Sequence, residues 1–155
     1  MIAKYNNEYY HTGLPKANMM LWKFIPIEKL MPKSTINHGY ATCCKEVFMS
    51  DIQELFAITF SVEWNGKTFI ANLADDNHVS ILLPEKEKLY ALSQMFEKKT
   101  EIDAWERTIP IAECTGFFVT KMFVYPHNLD KIIPLTKEDW VKYNKQLKEE
   151  AKMGV

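Results

Sequence analysis

Ile58-Thr59-Phe60-Ser61-Val62-Glu63-Trp64-Asn65-Gly66-Lys67-Thr68-Phe69-Ile70-Ala71-Asn72-Leu73 is two alternating runs joined by Asn-Gly. Asn-Gly tolerates the positive φ that a two-residue hairpin turn needs at both central positions, so the stretch predicts a β-hairpin. Counting outward from the turn sets Val62 opposite Phe69, Phe60 opposite Ala71 and Ile58 opposite Leu73. All of these point to one face, while Thr59, Ser61, Glu63, Thr68 and Asn72 point to the other. The result is an antiparallel sheet with one buried face and a solvated back.

The pattern continues past the hairpin. Asp75-Asp76-Asn77 precedes the alternating Val79-Ser80-Ile81-Leu82-Leu83. A three-residue loop there, with Asn77 in the left-handed conformation, sets Val79 opposite Leu73 and Ile81 opposite Ala71. This gives a meander over residues 58–83. Pro84-Glu85-Lys86-Glu87 opens a helix over 85–99, with Leu89, Leu92 and Phe96 as its inner stripe and Lys98-Lys99 at its end. Residues 116–125 are apolar on both faces, which suits a central strand. Thr136 with Asp139 three residues on caps a final helix over 137–152, whose inner stripe is Trp140, Tyr143, Leu147 and Ala151.

Ahead of the meander, residues 41–49 read as a strand, and Ser50-Asp51-Ile52-Gln53 as a capping box opening a short helix through Phe56. Residues 1–40 carry Gly13, Pro15, Pro26, Pro32 and Gly39 and no sustained period, yet they are rich in aromatics and methionine. Disordered segments are poor in aromatics. This part is expected to be an ordered, irregular arm with one short strand near residues 20–25. The fold class is α+β: an antiparallel meander with one or two further strands, packed on two amphipathic helices. It is read as a single domain over 1–155, an arm (1–40) wrapped over the domain or a partner and an α+β core (41–155).

With 155 residues, the chain is long enough to bury roughly two-thirds of its unfolded surface. The formal net charge of -1 argues against a dedicated duplex nucleic-acid binder. Arg107 is the one arginine among 19 basic residues, so a bidentate fork for carboxylate or phosphate exists at one position only. Residues 1–12 show no basic region followed by an apolar one, so no signal peptide is expected, and the longest apolar runs fall well short of the ~20 residues of a membrane span. Cys43, Cys44 and Cys114 match neither a zinc spacing nor a disulfide framework. Reduced thiols in a cytoplasm, with no membrane partner, are the expectation.

Candidate chemistry is sparse. Neither phosphate-binding glycine motif occurs. Asp75, Asp76 and His78, joined by Asp51, Glu54 or His127, have the ligand chemistry of a metal-dependent hydrolase, but Asp-Asp-Asn is also what a tight turn wants. The cysteines have no base placed beside them in sequence, neither His38, His78 nor His127, and a buried or half-buried structural thiol is the plainer reading of Cys114. Tyr9, Tyr10, Trp64, Phe69 and Phe117, with Lys4, Lys16, Lys23, Lys67 and Lys121, have the composition of a single-stranded nucleic-acid platform. The hairpin pattern nevertheless sends Phe69 to the core. No cofactor, metal site or catalytic residue is predicted.

What remains is recognition. Tyr and Trp are common binding anchors and Met is adaptable. Tyr9, Tyr10, His11, Met19, Met20 and Trp22 are the expected partner-binding residues. The chain reads as a small non-enzymatic protein that binds another protein, of the inhibitor or immunity-factor type found in bacteria and phages. Single-stranded nucleic-acid or nucleotide binding and metal-dependent hydrolysis are the alternatives.

Overall fold

The computed structural model describes residues 1–23, 43–127 and 129–152. In chain order it forms β1 (Ile2–Tyr5), β2 (Glu8–Thr12), β3 (Asn18–Lys23), β4 (Cys43–Phe48), β5 (Glu54–Trp64), β6 (Lys67–Leu73) and β7 (His78–Pro84). There follow α1 (Lys88–Ser93), β8 (Glu97–Lys99), β9 (Ala104–Pro110), β10 (Gly116–Tyr125), β11 (Lys131–Pro134) and α2 (Lys137–Lys152). The architecture is α+β and mostly antiparallel sheet. It divides into two compact units, one of residues 1–59, 120–133 and the chain from 145, the other of 60–119 and 134–144. β5, β10, β11 and α2 each carry residues of both units.

In the first unit the strands run β4-β3-β2-β1-β5, each antiparallel to its neighbour. Most of residues 1–23, the described part of the expected irregular arm, is therefore sheet, and the part over residues 24–40 lies outside the described residues. The cause is Asn6-Asn7, whose φ values of 48° and 63° make the same kind of two-residue turn as Asn-Gly. Gln53 clamps that turn: its Oε1 accepts from Asn7 N–H at 2.7 Å, and its Nε2 donates to Asn7 Oδ1 at 3.2 Å. With its side chain engaged there, Gln53 does not close a capping box. Residues 50–56 form no helix beyond a 3-10 turn at Met49–Asp51, and β5 begins at Glu54.

Two faces of this sheet are covered. Ala3, Met19, Leu21, Val47, Ile52 and Leu55 form one cluster, with Tyr5, Tyr10 and Val124 packed against it. Tyr9 pairs with Lys4 and Tyr10 with Ala3, so successive tyrosines point to opposite faces. Tyr9 meets Phe56 edge-on at 6.2 Å, and Phe56 meets Phe123 at 5.2 Å. The buried Lys121 holds its Nζ 4.3 Å from the centre of the Phe56 ring. Burial lowers the Lys121 pKa, opposed by the nearby Glu54 carboxylate. Burial, together with Glu54, raises the Tyr9 phenol to about 12.

In the second unit the order is β5-β6-β7-β9-β8. Asn65 and Gly66 adopt φ of 51° and 74°, and Val62 faces Phe69 as expected. The ladder runs only from Trp64↔Lys67 to Ser61↔Ile70, short of the further pairs Phe60–Ala71 and Ile58–Leu73. Leu73 N–H instead donates to Asn144 Oδ1 at 3.1 Å, so a helix side chain takes the place of a strand partner. The β6 alternation survives: Phe69, Ala71 and Leu73 are buried, Thr68, Ile70 and Asn72 exposed. The back of β5 is less open than expected, since Ser61 is buried and Glu63 accepts from Thr115 Oγ1 at 2.7 Å.

Leu73 faces Val79 and Ala71 faces Ile81, which is the register of a three-residue loop. Asn77 is not among the residues with positive φ, however. Asp75 shapes the loop instead by accepting from Asn77 N–H at 2.8 Å. On α2, Thr136 caps the helix by accepting from Asp139 N–H at 3.2 Å. Trp140 is fully buried against Phe60 and Phe117, each at 5.7 Å, and its Nε1–H donates to Phe118 O at 3.2 Å. Trp140→Ala removes a fully buried tryptophan side chain and should cost about 3–5 kcal/mol of unfolding free energy in urea titration. Trp140→Phe, which keeps an aromatic ring in place and removes the hydrogen bond to Phe118 O, should cost about 1–3 kcal/mol. Equal losses in the two variants would contradict this account of the anchor.

Candidate functional site

The expected helix over 85–99 is broken into three pieces: a 3-10 turn at Glu85–Glu87, the six-residue α1, and β8. Trp105 Nε1–H donates to Glu85 O at 3.2 Å, and Lys98 and Lys67 pair with Glu85 and Glu87 at 2.6 and 2.8 Å. These ties fix the entry of α1. Three residues per turn before the helix rotate the apolar stripe relative to a continuous 3.6-residue period. Tyr90 and Phe96 pack on Phe69 at 6.2 and 5.9 Å, with Ala91 buried beside them. Of the expected inner stripe only Phe96 is buried. Leu89 and Leu92 face solvent together with Met95, at 86%, 53% and 80% exposure.

The end of α1 explains Met95. Phe96 N–H donates to Ala91 O at 2.9 Å and Met95 N–H to Leu92 O at 3.4 Å, the bond pair of a Schellman cap. The residue at the turning position of that cap takes a left-handed conformation, usually as glycine. Here it is Met95, with φ of 60°. A long side chain in that conformation costs about 1 kcal/mol and leaves the thioether projecting into water.

Beside Met95 opens a groove of about 310 Å³ lined by Met95, Glu97, Glu106, Arg107 and Thr108. Arg107 lies opposite the buried Ile81. It donates from Nη1 to Gln94 O at 2.6 Å and stacks 4.9 Å over Trp64, so the only arginine ties the exit of α1 to β9. The site has the makings of a docking surface: three exposed apolar side chains at three-residue spacing, next to a polar groove.

The first unit holds a second groove, of about 360 Å³, lined by Tyr5, Asn18, Glu46, Val47, Phe48 and Asp51. Among the expected partner-binding residues, Tyr9, His11 and Met19 are buried, Tyr10 is half-buried and Met20 is exposed. Trp22 pairs with His11 in the sheet, and its side chain lies outside what is described. Period-two alternation explains the split, since Tyr9 and His11 share one face of β2.

His78 Nδ1 lies 2.9 and 3.0 Å from the Asp75 oxygens. The Asn77 N–H, then the His78 hydrogen bond, lower the Asp75 pKa. Asp75 and His78 thus complete a turn, and among the described residues no three His, Cys, Asp or Glu are grouped to hold a metal. Of the aromatics considered as a stacking platform, Tyr9, Trp64 and Phe69 are buried and Phe117 packs on Trp140. Among the described residues no helix is long and apolar enough to cross a membrane.

The sequence reading missed Met95 and Thr108 altogether and placed Leu89 and Leu92 on the wrong side. The one available signal was the three-residue spacing of Leu89 and Leu92, which puts that pair on one helix face.

Cys114 is half-buried, and burial with the adjacent Glu113 raises its thiol to about 11. Iodoacetamide labelling of Cys114, followed by peptide mass spectrometry, should be about a hundredfold slower near pH 8 than for a free cysteine and should climb until about pH 11. A labelling rate that levels off below pH 9 would contradict this. Searches against family models, curated proteins and solved structures return no match, so the meaning of the site rests on its geometry.

Proposed function

We propose that the protein acts by binding another protein, and that the solvent face of α1 with the adjoining groove is the contact surface. The observation that carries this is the outward stripe of Leu89, Leu92 and Met95, large apolar side chains held in water by a defined helix end. Burying these three at an interface removes apolar surface worth roughly 1.5–3 kcal/mol per side chain before the costs of association. Arg107, by tying Gln94 to β9, keeps the stripe in one orientation and limits the ordering cost of binding. The proposal moves the anchor away from Tyr9, His11 and Met19, which are enclosed in their own core. In the first unit, among the described side chains of the expected set, Tyr10 and Met20 keep accessible surface.

Such a protein works by occupying a surface of its partner, as an inhibitor or immunity-type factor does, and needs no reactive group. Capture on a tagged bait tests the proposal. A partner retained by the unmodified chain should be lost from Leu89→Asp/Leu92→Asp, with the thermal midpoint unchanged. Met95→Gly should raise stability by up to about 1 kcal/mol while weakening the same capture. A double variant that unfolds early, or one that captures the partner undiminished, would refute the assignment.

A further inference from the structure

The edge of the second unit's sheet beside this groove is incomplete. β8 pairs with β9 only at Ala104, Trp105 and Glu106. Ala74 N–H donates to His78 O, so along β7 the backbone groups of His78, Ser80 and Leu82 point towards β6. Those of Val79, Ile81 and Leu83 then point towards β9, where they meet Ile109, Arg107 and Trp105. The same alternation turns Ala104, Glu106 and Thr108 towards the other edge. β8 covers the first two, and Thr108 presents its N–H and C=O to the groove. The chain leaves this edge at Met95, whose left-handed turn carries it off to α1.

The charges around the gap are unbalanced. Glu97 stands directly opposite Glu106, an unfavourable cross-strand pairing. Lys99 reaches Glu106 at 3.3 Å, while among the described residues Glu97 has no ion-pair partner. Both carboxylates lie on the Thr108 side of the sheet, because Glu106 and Thr108 are two apart on β9.

We propose that the groove takes an extended peptide segment of a partner protein, added antiparallel to β9 in line with β8, with a basic residue opposite Thr108. The proposal rests on the protein-binding reading and specifies its partner. Two hydrogen bonds to Thr108 require an extended backbone, and a Lys or Arg opposite Thr108 lies diagonal to Glu106 on the face that carries both carboxylates. The apolar residues of the segment then lie against Met95. A second copy of this chain is a poorer occupant, since its own β9 edge brings further carboxylates to the gap.

The probe is a phage-displayed library of short linear peptides, selected on the unmodified protein. The expected result is enrichment of peptides with a basic residue. Their affinity should fall about tenfold or more on Thr108→Pro, which removes a donor that the fold does not use, and several-fold on Glu97→Gln. Glu97→Gln should not lower folding stability, because it relieves a like-charge pairing. Independently of any variant, the Thr108 amide should exchange rapidly in the free protein and become protected with peptide bound. Peptides that bind Thr108→Pro unchanged, or a Thr108 amide already protected in the free protein, would overturn the proposal. So would enrichment of acidic peptides, or sedimentation showing a dimer through this edge. Loss of partner capture in Leu89→Asp/Leu92→Asp, with Thr108→Pro unaffected, would sink strand addition and leave the α1 surface standing. Undiminished capture by both would sink the two together.

Discussion

Two tight turns, Asn6-Asn7 and Asn65-Gly66, hold all four of their central residues at positive φ and thereby fix the register of everything beside them. Such a turn matches the twist of the strands it joins and leaves no freedom to slip by one residue, which would turn every side chain over. In the first unit this register buries Tyr9 and Met19 and leaves Tyr10 and Met20 nearer the surface. In the second it buries Phe69 and Ala71 and gives α1 an aromatic floor on which to sit.

The proposed contact surface follows from a conflict that this floor creates. Tyr90, Ala91 and Phe96 satisfy it, and a six-residue helix has no further side to bury. Leu89, Leu92 and Met95 are left in water. A glycine at position 95 would end the helix without strain, and a polar residue at 89 or 92 would solvate it. The chain does neither. Features that cost stability without serving the core are characteristic of binding surfaces, where the expense is recovered in the complex. Arg107 supports this arrangement from beneath, joining helix end to strand through Gln94 O while stacking on Trp64.

Much of the architecture was legible in the residues, and the failures have physical causes. Alternation and Asn-Gly carried the hairpin, the β6–β7 register and the β7 face, because local turn chemistry and burial agree there. Thr136 and Trp140 marked the cap and inner stripe of α2 for the same reason. The first strands were missed because Asn6-Asn7 makes an Asn-Gly type of turn without the glycine that announces it. The pairs beyond Ser61↔Ile70 were overestimated because Asn144, distant in sequence, takes the Leu73 N–H. The helix over 85–99 failed at Met95, whose left-handed conformation no propensity assigns to methionine. Of the proposed docking surface, only the shared helix face of Leu89 and Leu92 could be read in advance. Their exposure depends on contacts from Phe69, Glu85 and Trp105 that spacing does not show.

The central claim is that the sheet register puts Met19 inside and the end of α1 puts Met95 outside. Timed oxidation of the folded protein by dilute hydrogen peroxide, with each methionine followed by peptide mass spectrometry, tests it most directly. Among these four methionines of the described residues, Met95, 80% exposed, should oxidise first, Met20 and Met122, near half-exposed, should follow, and Met19, 1% exposed, should persist until the protein unfolds. A Met95 as slow as Met19, or a Met19 as fast as Met95, would contradict the account.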